Sequence, residues 1–110
     1  MSNLAAALTI DPDGENIVSP EVAHDERHTL RVSVDRDNGD VNLAFSSRQA
    51  LYDFARSLLH DAVFGQGGQK EFYPLLMDGK ALVVDGARLT EGSSRIFVNY
   101  PLSLETSGGD

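Results

Sequence analysis

The sequence predicts an α+β domain: a largely antiparallel sheet of about five to seven strands, with one main helix over about residues 47–64 packed on one face. Three observations predict it. Apolar residues recur at three- and four-residue spacing from Leu51 onward, period-two alternation flanks Asn38-Gly39, and the order along the chain is strands, one helix, then strands again.

The helix is the best-marked element. Ser46 is the expected N-cap, its hydroxyl accepting a first-turn amide while Gln49 reaches back to the Ser46 amide. Leu51, Phe54, Ala55, Leu58 and Ala62 form the expected buried stripe, with Leu59 and Val63 on its border and Gln49, Asp53, Arg56, Ser57 and His60 on the wet side. Gly65 is expected to end the helix in a left-handed conformation, and the Gly/Gln run after it cannot continue the helix.

In chain order, residues 6–10 read as a short strand. Asp11-Pro12-Asp13-Gly14 reads as a turn into Ile17 and Val18, giving a first hairpin. Residues 20–28 have thin apolar content and read as loop or a single helical turn opened by Ser19 and Pro20. Leu30, Val32 and Val34, then Val41, Leu43 and Phe45, alternate with polar or small residues around Asn38-Gly39. A two-residue turn there pairs Asp37 with Asp40, Val34 with Leu43 and Val32 with Phe45.

Beyond the helix, residues 72–77 and 81–84 form a second hairpin about Asp78-Gly79, with Pro74 at an edge or bulge because it lacks a ladder donor. Asp85-Gly86 marks another turn, and residues 95–100 a last strand ended by Pro101. Tyr73 and Phe97 are either partner anchors or packed residues, and packing is the expectation. Residues 1–102 read as a single domain and residues 103–110 as a disordered tail.

Composition narrows function. With 110 residues the chain supports one core, and the absence of cysteine excludes disulfides and thiolate chemistry. The apolar run at residues 4–8 lacks a basic flank and is too short for a signal or membrane segment, so a cytoplasmic location is expected. The formal net charge is −8, and residues 11–40 hold nine carboxylates against three arginines. That balance argues against nucleic acid; it attracts a basic protein partner, and it is also the ordinary charge that keeps a small domain soluble, which is the expectation.

No catalytic set stands out. His24 and His28 have i,i+4 spacing, but Asp25 stands where a zincin needs glutamate and only distant His60 could complete the set, so no metal or cofactor is expected. The two Asp-rich runs lack a glycine at the sixth loop position that calcium requires. No Gly-x-Ser-x-Gly elbow or phosphate loop is present. The expected partner-binding residues are Glu21, Asp25, Glu26, Asp35, Asp37 and Asp40.

Residues 41–101 carry Ser47-Arg48-Gln49-Ala50-Leu51, then Leu58-Leu59, a Gly-rich break, an apolar strand, and Leu89-Thr90-Glu91-Gly92-Ser93-Ser94-Arg95-Ile96-Phe97-Val98. This layout resembles small bacterial immunity proteins of polymorphic toxin systems, particularly the immunity protein 32 group. The resemblance implies a non-enzymatic cytoplasmic binder that neutralises a toxin. The alternative is a small-ligand-binding or structural accessory domain, homodimeric through a strand edge such as that near Pro74.

Overall fold

A computed structural model describes residues 4–10 and 19–102. The elements are α1 (Pro20–His24), β1 (Leu30–Val34), β2 (Val41–Phe45), α2 (Arg48–Phe64), β3 (Gln69–Phe72), β4 (Leu75–Met77), β5 (Lys80–Val84), β6 (Ala87–Arg88) and β7 (Ile96–Asn99). This is the α+β fold expected. Its strands divide among three small antiparallel sheets, ordered β1-β2, β3-β7 and β4-β5-β6. An isolated parallel bridge between Leu30 and Leu89 links the first sheet to the segment after β6.

The turns follow their residues. Asp78 and Gly79 have φ of 54° and 78° and connect Met77 to Lys80; Asp85 and Gly86, at 51° and 98°, connect Val84 to Ala87. Both are two-residue turns with positive φ at each position, the form that matches strand twist. Pro74 lies between β3 and β4, where no ladder amide is needed.

The Asn38-Gly39 hairpin forms in a different register. Leu30 pairs with Phe45, Val32 with Leu43 and Val34 with Val41, and residues 36–39 make a four-residue loop. The Asp35 amide donates to the Asp40 carbonyl at 2.8 Å, and the Gly39 amide donates to the Asp35 carbonyl at 2.7 Å. The slip from the expected register is two residues, which returns every side chain to the same face. Apolar alternation therefore cannot distinguish the two registers, and local bonding decides. Asp35 Oδ1 accepts the Asp37 amide and Asn38 Oδ1 accepts the Asp40 amide, each at 2.9 Å, which stabilises the wider loop.

The helix starts one residue later than expected. Ser46 Oγ donates to the Arg27 carbonyl and accepts the Thr29 amide, extending the hairpin. Ser47 caps α2 instead, accepting the Ala50 amide at 3.1 Å. Gln49 does not close a capping box: its Nε2 donates to Asp53 Oδ1 and Ser19 Oγ. At the other end Gly65 is extended, with φ −65° and ψ 143°, and not left-handed.

The buried face of α2 is also turned, by about one residue's step of roughly 100°. Ala50, Asp53, Phe54 and Ser57 are buried, while Leu51, Ala55, Leu59 and Val63 form an exposed apolar stripe. Polar partners explain the turn. Asp53 Oδ2 accepts both the amide and hydroxyl of Ser19, at 2.8 and 2.9 Å, and Ser57 Oγ donates to the Asp85 carbonyl. Leu30, Val32, Phe54, Phe72, Ala87 and Leu89 form the core, with the Phe54 ring 4.8 Å from Phe72 and 5.5 Å from Phe45. Burying a side chain such as Phe72 stabilises the fold by roughly 1.5–3 kcal/mol.

Residues 20–28 contain one helical turn, 20–24. Ser19 caps it, with Pro20 at its start. Residues 6–10 form no strand. The remainder of the expected first hairpin and the tail at 103–110 lie outside the described residues. Phe97, expected to be packed, is exposed, while Tyr73 is half-buried. Phe97 takes its place in the alternating pattern of β7, on the side away from Ile96 and Val98. The Arg95 guanidinium lies 5.2 Å from the Tyr73 ring centre and 5.7 Å from that of Phe97.

Candidate functional site

The β1-β2 hairpin runs out past the core. Along its apolar face burial falls steeply: Leu30 and Val32 are 1% and 2% exposed, whereas Leu43, Val34 and Val41 reach 40%, 47% and 60%. Period-two alternation places all of them on one face, but α2 covers only the base, through Phe54 against Phe45. The result is an exposed apolar trio on the outer part of the hairpin, which no other described residue covers. Asp35, Asp37 and Asp40 are exposed beside it, with Arg36 as the cation within the loop.

The six expected partner-binding carboxylates do not form one patch. Glu21, Asp25 and Glu26 belong to α1 and the segment after it, at the base of the hairpin. Asp35, Asp37 and Asp40 lie at the tip, beyond a strand of five residues that spans roughly 17 Å. Glu21 and Glu26 are exposed. Asp25 is engaged by Arg27, whose Nε and Nη2 donate at 3.0 and 2.9 Å, and this hydrogen-bonded pairing holds the Asp25 carboxyl well below the usual carboxylate range.

The base holds an arrangement that sequence reasoning missed. Ser47 Oγ lies 2.6 Å from His28 Nδ1, and His28 Nε2 lies 3.6 Å from Asp25 Oδ2. A serine, an imidazole and a carboxylate thus stand in a row. The Ser47 oxygen also accepts the Ala50 amide as the cap of α2, so this row ties the α1-β1 segment to the start of α2. Nothing in the local sequence signals it, because the hydroxyl and the ring are 19 positions apart.

A second polar group sits at the far end of α2. Lys70, buried on β3, places Nζ 2.9 Å from Asp61 Oδ1 and 3.8 Å from Asp85 Oδ1, and Tyr100 donates its hydroxyl to Asp61 Oδ2 at 2.8 Å. Burial pushes the Asp61 pKa up, but the bonds from Lys70 and Tyr100 outweigh it and bring it below the ordinary value. The same bond, helped by burial, raises that of Tyr100. An open cavity of about 250 Å³ adjoins the group, lined by Asp61, Phe64, Gly65, Tyr100 and Leu102 among others.

The histidines are dispersed. His24 is exposed at the end of α1, His28 is past it, and both ring nitrogens of His60 are buried beside Phe64 with no hydrogen-bond partner among the described residues. Among the described residues, no group of three or more His, Cys, Asp or Glu side chains is placed to hold a metal ion. No helix among them is long and apolar enough to cross a membrane. Neither the family models, the curated proteins nor the solved structures compared with the chain gives a significant match.

Proposed function

We propose that this chain is a non-enzymatic protein-binding module that engages a basic protein partner through the tip of the β1-β2 hairpin. The observation that carries the reading is the exposed trio Val34, Val41 and Leu43 rimmed by Asp35, Asp37 and Asp40. An apolar centre with a charged rim is the common anatomy of protein interfaces, and the carboxylates steer a basic partner toward it. The resemblance to immunity proteins makes the partner a basic toxin domain met in the cytoplasm. Glu21 and Glu26 then serve long-range steering from the base of the hairpin.

The test is capture of a basic domain encoded beside this chain, at low and high salt, by the native protein and by the triple variant Asp35→Asn, Asp37→Asn, Asp40→Asn. Retention at low salt, release at high salt and weakened retention by the variant support the reading. Equal retention by the variant removes the tip from the interface. The second reading, a small-ligand domain, is favoured by the cavity beside Asp61 and Tyr100. A small molecule that co-purifies and is lost on Tyr100→Phe would favour it.

A further inference from the structure

The hairpin has a second unsatisfied feature, its outer edge. β1 lies between β2 on one side and residues 89–94 on the other, where Thr90 and Ser94 donate their amides to the Leu30 and Val32 carbonyls and the Val32 amide donates to Ser93 Oγ. Among the described residues, β2 has a strand neighbour on one side only. Which groups face outward follows from two bonds, Asp35 N to Asp40 O and Ser46 N to Thr29 O. Bonded and non-bonded pairs alternate along an antiparallel ladder, so Asp40, Asn42, Ala44 and Ser46 address β1. The amides and carbonyls of Val41, Leu43 and Phe45 therefore point to the free side.

The strand itself, and the described residues around it, lack the usual protection of an edge. Val-Asn-Leu-Ala-Phe contains no charge, no proline and no glycine, and its residues 41–44 are all exposed. Native sheets blunt such edges with lysine, proline or bulges, or cover them.

We propose that β2 pairs antiparallel with β2 of a second copy of this chain, about a two-fold axis at Leu43. Three features select that occupant and that direction. The axis at Leu43 is the one centre that matches every outward-facing residue, setting Leu43 against its own copy and Val41 against Phe45, for about six main-chain hydrogen bonds. It brings the exposed Val41 and Leu43 against apolar neighbours on one face. It also sets Asp40 opposite Ser46, so the acidic tip of each copy meets the start of the other's α2. That helix end carries exposed Arg48, has no acidic residue in its first turn, and presents the positive pole of the helix. Parallel pairing would instead bring the two acidic tips together.

The inference stands apart from the basic partner proposed above, because self-association is measured on the pure protein. Where both hold, the second copy and the partner compete for one hairpin.

The chain has no cysteine, so Leu43→Cys places a single thiol on the axis. Residues of a hydrogen-bonded antiparallel pair have Cα atoms about 5.5 Å apart, within disulfide reach. Mild oxidation of the full chain is expected to give a linked dimer rapidly, and the control Met77→Cys, exposed on another hairpin, is expected to lag well behind. Sedimentation of the unsubstituted chain should show a concentration-dependent dimer that weakens as salt rises. Leu43→Pro removes an outward amide and spares the β1 ladder, so dimerisation should weaken by at least about tenfold while circular dichroism is kept. If Leu43→Pro unfolds, the cysteine pair still decides. A monomer at every concentration up to millimolar, equal crosslinking of the two cysteine variants, or a monomer whose edge takes up an added extended peptide would each overturn the proposal.

Discussion

Arg88 Nη1 donates to the Val22 carbonyl at 2.9 Å, joining β6 to the short helix α1 across 66 positions of sequence. The same nitrogen reaches the Asp25 and His28 carbonyls at 2.8 and 3.4 Å, and Nε donates to the Ala81 carbonyl at 3.0 Å. The guanidinium is thus a buried strut that ties β5 and β6 to α1, through Val22, and to the segment that follows it, through Asp25 and His28. Arg88→Met is expected to destabilise the fold by roughly 2–3 kcal/mol in denaturant unfolding and to raise amide exchange over residues 19–28. Arg88→Lys should not restore it, because an ammonium cannot reproduce the planar fork.

Asp53 and Leu51 make a matched pair of tests for the setting of α2. Asp53 is fully buried and accepts bonds from Ser19 and Gln49, whereas Leu51 is 48% exposed. Asp53→Ala is expected to cost roughly 2–4 kcal/mol and Leu51→Ala at most about 0.5 kcal/mol. The reverse ranking would restore the setting expected from the apolar stripe.

The bonds of Asp61 to Lys70 and Tyr100 give stability a pH dependence at both ends. Asp61 has a folded pKa below the ordinary 3.8, so its contribution is complete above about pH 4 and is lost as pH falls through the folded value. Tyr100 has a folded pKa above 10.0, so its contribution is complete below about pH 10 and is lost as pH rises through the folded value. Asp61→Asn should flatten the acid limb of a stability–pH curve and Tyr100→Phe the alkaline limb, both read by denaturant midpoints.

Gly65 is required by space. A Cβ there would lie 2.3 Å from Tyr100 Oη and 2.5 Å from the Asp61 carbonyl oxygen. Gly65→Ala is expected to displace the Tyr100 ring, destabilise the protein by roughly 1–3 kcal/mol, and bring the phenol titration, followed by ultraviolet absorbance, back toward its ordinary value. An unchanged phenol titration would show that the ring keeps its bond to Asp61.

What the sequence made legible was whatever depends on neighbours along the chain. The positive-φ turns at Asp78-Gly79 and Asp85-Gly86, the hairpin about the first of them, and the helix from residue 48 to 64 follow from local chemistry, whereas the run expected as one strand over residues 72–77 is divided between β3 and β4, and β6 was not expected. The hairpin register and the setting of α2 were not legible, for one reason in two forms. A two-residue slip leaves the apolar face of a hairpin unchanged, and the apolar stripe of α2 was read without Ser19 and the Asp85 carbonyl, which lie far off in sequence. The acidic residues were legible individually, but their division between the base and the tip of the hairpin needed the path of β1. Ser47 beside His28 had no sequence signal at all.

A helix that buries leucines against a smooth surface can turn or slide with little penalty, since dispersion has no direction. The buried contacts of Asp53 and Ser57 are different: each has one set of partners, at one angle, in one rotation of the helix. The polar seam of α2 therefore acts as a keyway. Its chief effect is to make a single arrangement of the chain available, even where an all-apolar seam of equal volume would hold more tightly.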